Sequence, residues 1–78
     1  MAAPVKVLLF GRLAEIAGAR VLEYRATDTD GLFAALCADF PEMDRHTTAM
    51  AVNRAAIREN TLLNPGDEVA LLPPYSGG

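Results

Sequence analysis

Pro73-Pro74-Tyr75-Ser76-Gly77-Gly78, at the end of the sequence, are the residues whose types and order point most directly to chemistry. Proline has no backbone N–H, so the pair at 73–74 cannot extend a sheet ladder and must detach the chain from it. Pro74 also drives Pro73 toward extended backbone. Six extended residues from Pro73 onward reach at most about 20 Å, enough to carry a terminal carboxylate into the active site of another protein. Gly77 and Gly78 have no side chains, so the thread can pass a constriction that any Cβ would block. The expected reactive atom is therefore the carboxyl carbon of Gly78, delivered by Pro73, Pro74, Tyr75, Ser76 and Gly77. A carboxylate is a poor electrophile, and acyl chemistry there requires activation first. A terminal Gly-Gly alone is most often only a frayed chain end; the Pro-Pro break in front of it argues for a thread.

No other residue offers comparable chemistry. Cys37 falls on the apolar stripe of a helix, with no histidine near it in sequence, and a buried structural thiol is the expectation. His46, the single histidine, lies in a polar loop without Cys or carboxylate neighbours at ligand spacing, so no metal site is expected. Ser76 has no base to activate it and reads as a contact inside a tunnel. Lys6 is a lone surface charge that could pair with a partner's carboxylate.

These residues must be held by a small set of elements. Val5–Phe10 is an apolar run with one charge, a strand buried on most of both faces. Gly11–Ala17 reads as a short helix stopped by Gly18, and Arg20–Arg25 as a more exposed strand with Val21, Glu23 and Arg25 on one face. In the next segment, Leu32, Phe33, Leu36, Cys37 and Phe40 share roughly 140° of arc at 100° per residue. This is an amphipathic helix, closed by Pro41, with Thr29 as N-cap and Asp28 competing for the position. Glu42–Thr48 reads as irregular. Met50–Val52 and Ala55–Arg58 flank an Asn53-Arg54 hairpin turn; Asn64-Pro65-Gly66-Asp67 is a further turn, and Val69–Leu72 is the last strand.

The first and last strands are the most apolar, so they belong side by side at the sheet centre, with the main helix across one face. The expected class is α+β: a ubiquitin-like β-grasp, its mixed sheet crossed by one main helix. Residues 1–74 form the domain and 75–78 a flexible tail. Strand parity then turns Val5, Val7, Leu9, Val69 and Leu71 toward the helix. Leu8, Phe10, Ala70, Leu72 and Pro74 face outward, giving an apolar patch of the kind that marks contact sites.

Composition sets the outer bounds. A chain of 78 residues holds one domain, with 51% hydrophobic and 22% charged residues in the ordinary soluble range. So small a body leaves no room for a deep cleft with a full catalytic set. The net charge of −3 and the scattering of the seven Lys and Arg residues argue against nucleic acid. No apolar run is long enough to span a bilayer, and Met1-Ala2-Ala3-Pro4 does not open a signal peptide. The single cysteine fits a reducing compartment, and the cytoplasm is the expected location.

The stretch Gly66-Asp67-Glu68-Val69-Ala70-Leu71-Leu72-Pro73-Pro74, followed by Ser76-Gly77-Gly78, resembles the C-terminus of molybdopterin synthase small subunits, the MoaD-type sulfur carriers. Lys6-Val7 with Phe10, Glu15 with Gly18, and Ala51-Val52-Asn53 extend the resemblance in register over essentially the whole chain. Tyr75 departs from it, standing where the family commonly has a small aliphatic residue, and is read as a docking residue.

The resemblance implies a sulfur carrier that is not itself catalytic, a subunit of a sulfurtransferase active only with its large subunit. A ubiquitin-activating-like adenylyltransferase would adenylate Gly78, and a sulfur donor would displace AMP to leave a thiocarboxylate. The loaded tail would then supply sulfur for the dithiolene of molybdopterin in molybdenum cofactor biosynthesis, within a heterotetramer. It further implies that Phe10, Ala56 and Leu72 dock these partners, although Ala56 is small for that position. No cofactor is expected on this chain, ATP being used by the activating partner. The alternatives are a carrier for thiamin thiazole or cysteine synthesis, which Pro73-Pro74 disfavours, a modifier joined to lysine amines through Gly78, and a plain interaction module.

Overall fold

The computed structural model describes residues 2–73. Five strands form one sheet: β1 (Ala3–Leu9), β2 (Val21–Ala26), β3 (Ala49–Val52), β4 (Ala55–Ile57) and β5 (Glu68–Leu72). Helix α1 (Arg12–Ala17) links β1 to β2, and the main helix α2 (Thr29–Asp39) follows β2. The strand order is β2-β1-β5-β3-β4. β1 runs parallel to β5, and the other pairs are antiparallel. This is the expected ubiquitin-like β-grasp, with the two most apolar strands adjacent inside the sheet.

Alternation along the strands explains why the sheet is one-sided. Val5, Val7 and Leu9 of β1 and Val69 and Leu71 of β5 are buried. They pack in one cluster with Leu32, Phe33 and Leu36 of α2, while Cys37 and Phe40 lie partly buried at its margin. Leu71 is fully excluded from solvent, so Leu71→Ala is expected to cost about 3 kcal/mol. That is a large share of the roughly 4–12 kcal/mol available to a domain of this size. Urea denaturation checks it: a loss under about 1 kcal/mol would contradict a close-packed interior here.

Several local expectations are corrected. Strand β1 starts earlier and stops at Leu9; Phe10 lies beyond it, because Gly11 takes φ 56 and turns the chain into α1. β2, β3, β4 and β5 each shift by one residue at one or both ends, where ladder pairing starts or stops. The N-cap of α2 is Asp28, whose Oδ1 accepts the Gly31 N–H at 2.8 Å. Thr29 is instead wholly buried: its Oγ1 accepts the Thr61 N–H at 2.9 Å and donates to Asn60 Oδ1 at 3.3 Å. Asp28 wins the cap because Thr29 is committed to this longer-range pairing. The segment 42–48 is also less irregular than expected. It buries Met43 in the core and forms one 3₁₀ turn, Arg45–Thr47, capped by Asp44 through the His46 N–H.

The expected junction between domain and tail at residues 74–75 lies outside the described residues. So do Pro74, Tyr75, Ser76, Gly77 and Gly78.

Candidate functional site

The site is built where β5 ends. Its strand pairs carry β5 through the middle of the sheet, with Val69 opposite Val7 on one side and Val52 on the other. Its last residue, Leu72, faces away from the core, and Pro73 comes directly after it. β5 thus brings the chain to the edge of the domain with strands paired along both sides.

Two turns set the start of β5, and they are locked together. Asn53 and Arg54 take φ 51 and φ 72, the two positive values that a type I′ hairpin turn needs. Asn64-Pro65-Gly66-Asp67 has Gly66 at φ 86 and closes with the Asp67 N–H donating to Asn64 O at 3.0 Å, a type II arrangement. The Asn53 side chain joins them. Its Nδ2 donates to Asp67 Oδ1 at 3.0 Å, and its Oδ1 accepts the Glu68 N–H at 3.0 Å. Asp67 Oδ2 also accepts the Asn64 N–H at 2.8 Å. The Ala51-Val52-Asn53 and Gly66-Asp67-Glu68 motifs are therefore two halves of one hydrogen-bonded network, which their separation in sequence conceals.

These bonds favour the ionised carboxylate. The Asn64 backbone N–H and then the Asn53 amide hold the Asp67 carboxyl below its ordinary 3.8. Asp28 is lowered likewise, by the Gly31 N–H and then Asn60. A carboxyl depressed on folding stabilises the native state above its unfolded pKa, and that contribution is lost as pH falls through the folded value. Stability is therefore expected to decline as pH drops below about 3.8. Asp67→Asn should flatten this acid limb in urea midpoints measured from neutral pH downward. An unchanged limb would mean that ionisation of Asp67 is not linked to folding.

The outer face of the sheet carries the second feature. Register aligns Ala56, Ala51, Ala70, Leu8 and Val21 in one row across all five strands, β4 through β2. Leu72 stands in the next row toward the tail, opposite Ala49. Phe10 is 46% exposed, Val21 51% and Leu72 38%, and these are three of the four large exposed apolar residues among those described. Leu8, Phe10 and Val21 border one open groove. The Phe10 N–H donates to Leu71 O at 3.3 Å, which ties this residue to the end of β5. The residues named from the sequence, Phe10, Ala56 and Leu72, thus share a face, with Ala56 at the far end of the row on edge strand β4. Val21 was absent from that set. Its outward parity was legible, but its pairing with Leu8 was not. One row further from the tail, Lys6 lies between Glu23 and Glu68.

The remaining candidates stand apart from this region. Cys37 Sγ donates to Met43 O at 3.5 Å in a partly buried setting. His46 sits in the exposed 3₁₀ turn. Among the described residues, no three His, Cys, Asp or Glu side chains gather to hold a metal ion, and no helix is long and apolar enough to cross a membrane.

Known proteins share both sequence and fold. A "molybdopterin synthase sulfur carrier subunit" of Chlamydomonas reinhardtii is 36% identical, the match covering 95% of this chain and 98% of that one. A protein of the same name from Arabidopsis thaliana is 30% identical, covering 95% and 82%. The solution structure of small archaeal modifier protein 1 from Methanosarcina acetivorans superposes with a TM-score of 0.85 at 28% identity, covering 100% of this chain and 99% of that one. The crystal structure of its namesake from Haloferax volcanii gives 0.80 at 28% identity, covering 97% and 100%. The ThiS family model matches residues 7–78, a span from β1 through the terminal glycines. This chain belongs to the ThiS family.

Proposed function

We propose that the protein is the sulfur-carrying small subunit of a molybdopterin synthase, with Gly78 as its working residue. The observation that carries this reading is the delivery of Pro73 off the end of the central strand β5, beside an exposed Phe10–Leu72 surface. Near-full-length similarity to proteins named as such carriers supports it. The Gly78 carboxylate attacks the α-phosphate of ATP on an adenylating partner and releases pyrophosphate. A sulfur donor then displaces AMP, leaving a thiocarboxylate, a competent sulfur nucleophile. The large subunit receives the tail, the sulfur passes to the pterin precursor, and hydrolysis regenerates the carboxylate. The body binds no cofactor in this scheme, and transition states are stabilised by groups of the partners. Pro73 and Pro74 launch the thread, Tyr75 and Ser76 fit its entry, and Gly77 gives it width to pass.

Intact mass spectrometry after incubation with the activating enzyme, ATP and a sulfur source tests the first half of the scheme. Exchange of one oxygen for sulfur at Gly78 is expected, and its absence sinks the carrier reading. Co-purification with a synthase large subunit, and restored dithiolene formation, test the specific assignment. A carrier for thiazole or cysteine synthesis would load sulfur yet fail this second step.

The likeness to small archaeal modifier proteins supports a second reading, conjugation of Gly78 to lysine amines. It shares every step up to the adenylate. An isopeptide-linked adduct on a lysine-bearing protein, formed without sulfur, would favour it.

A further inference from the structure

We propose that Gly11 is a positioning residue for the C-terminal thread, the bare piece of backbone against which the Pro73 ring is seated. Gly11 has φ 56 and ψ −132, a combination matching the first central residue of a type II′ turn and strained for any L side chain. The turn is closed by the Leu13 N–H donating to Phe10 O at 3.1 Å. A Cβ at Gly11 would stand 3.1 Å from Pro73 Cγ and 3.8 Å from its Cδ. Carbon atoms prefer a separation of about 3.5–4.0 Å, so Pro73 would have to give way by several tenths of an ångström. Pro73 has little freedom to do so without displacing the chain beyond it. Its φ is fixed by its ring, and Leu71, two residues before it, is held by the Phe10 N–H at 3.3 Å. The Phe10-Gly11 turn therefore contacts β5 and Pro73 at consecutive points, and the side-chain-free one meets the proline.

Rooting the thread matters because about 1 Å of misplacement at a reacting centre costs on the order of 100-fold in rate. The inference rests on the carrier reading for its functional consequence, while the seat itself is a property of the folded chain. Gly11 touches no substrate and acts through Pro73.

The test compares wild type, Gly11→Ala, Pro73→Ala and the double variant as substrates of the adenylating partner, monitored by pyrophosphate release. Gly11→Ala is expected to lower kcat by about tenfold or more, with KM for the carrier unchanged because the outer face is intact. In the double variant, where the ring carbon that collides is gone, kcat should return to that of Pro73→Ala alone. Backbone strain by itself would not be relieved by Pro73→Ala, so an absence of rescue overturns the proposal. A kcat equal to wild type in folded Gly11→Ala, or a change confined to KM, overturns it as well. If Gly11→Ala does not fold, Gly11→Asn carries the same Cβ with better tolerance of positive φ and takes its place. NMR separates this failure from failure of the carrier reading. A wild-type chain that is never adenylated defeats the function. A missing NOE between Gly11 Hα and the Pro73 Hγ protons defeats the seat whatever the enzyme does.

Discussion

Deleting Gly77 and Gly78 is expected to abolish thiocarboxylate formation while leaving the body folded and still able to bind its partners. The deletion draws the terminal carboxylate back by about 7 Å along an extended thread and puts the Ser76 side chain at the reacting end. Misplacement of that size is far outside the tolerance of a near-attack geometry, so a loss of at least about 1,000-fold in adenylation is expected. Stability should not change with it, because among the described residues the buried cluster that holds the domain runs from Val5 to Leu71. Gly78→Ala is the milder companion. It keeps the carboxylate at full reach and adds one methyl group, so its defect reports on the width of the partner's tunnel. Pyrophosphate release and intact mass, read beside thermal unfolding, separate these effects. A truncated chain that still gains sulfur would remove the carboxyl carbon of Gly78 from the mechanism. A plain interaction module predicts that neither variant changes anything.

The second large effect is expected at the outer face. Leu72→Asp places a carboxylate in the row next to Leu8, Ala70 and Val21, at a residue already 38% exposed. Its cost to folding should be small, since water still reaches the position. Its cost to docking should be large, because burying an unpaired charge in an interface is unfavourable. A loss of about 2 kcal/mol, or roughly 30-fold in affinity, is typical for a residue near the centre of an interface. Titration calorimetry with the activating enzyme and with the large subunit reads it directly. Ala56→Asp, at the far end of the row on an edge strand, should weaken binding less if Phe10 and Leu72 are central. Equal affinity for Leu72→Asp and wild type would mean that partners approach another face. A fall in affinity with kcat maintained at saturation would separate docking from the tail chemistry that the deletion tests.

Both variants combine something legible in the chain with something that was not. The apolar alternation of Val5, Val7 and Leu9 and of Val69 and Leu71 showed which faces point inward, because the side-chain period of a strand is two whatever its partners are. The α2 stripe was equally clear, and so were the turns at Asn53-Arg54 and Asn64–Asp67, whose residues answer to local backbone geometry. The role of Thr29 was not legible. A threonine beside an aspartate at a helix start looks like a cap, and only the approach of Asn60 and Thr61 buries its hydroxyl. Met43 was hidden in the same way, as one apolar residue in a polar stretch with no period to betray it.

The sequence alone therefore determined the chemistry that can be asked of this protein: a Pro73-Pro74 break after the last strand followed by Gly77-Gly78, the pattern expected of a thread that carries a carboxylate. It also determined the types of the strands and α-helices, since each depends on residues within a turn or two, though not the 3₁₀ turn at Arg45–Thr47. The tertiary structure decided which distant residues meet. Pairing of β5 with β1 on one side and with β3 on the other fixes the register that lines up Val21, Leu8, Ala70, Ala51 and Ala56, brings Asn53 onto Asp67, and lays Pro73 against the bare backbone of Gly11. Such contacts join segments that lie on different elements, some of them at opposite ends of the chain. Local propensity cannot encode them, because they arise from burying all the apolar strand faces at once.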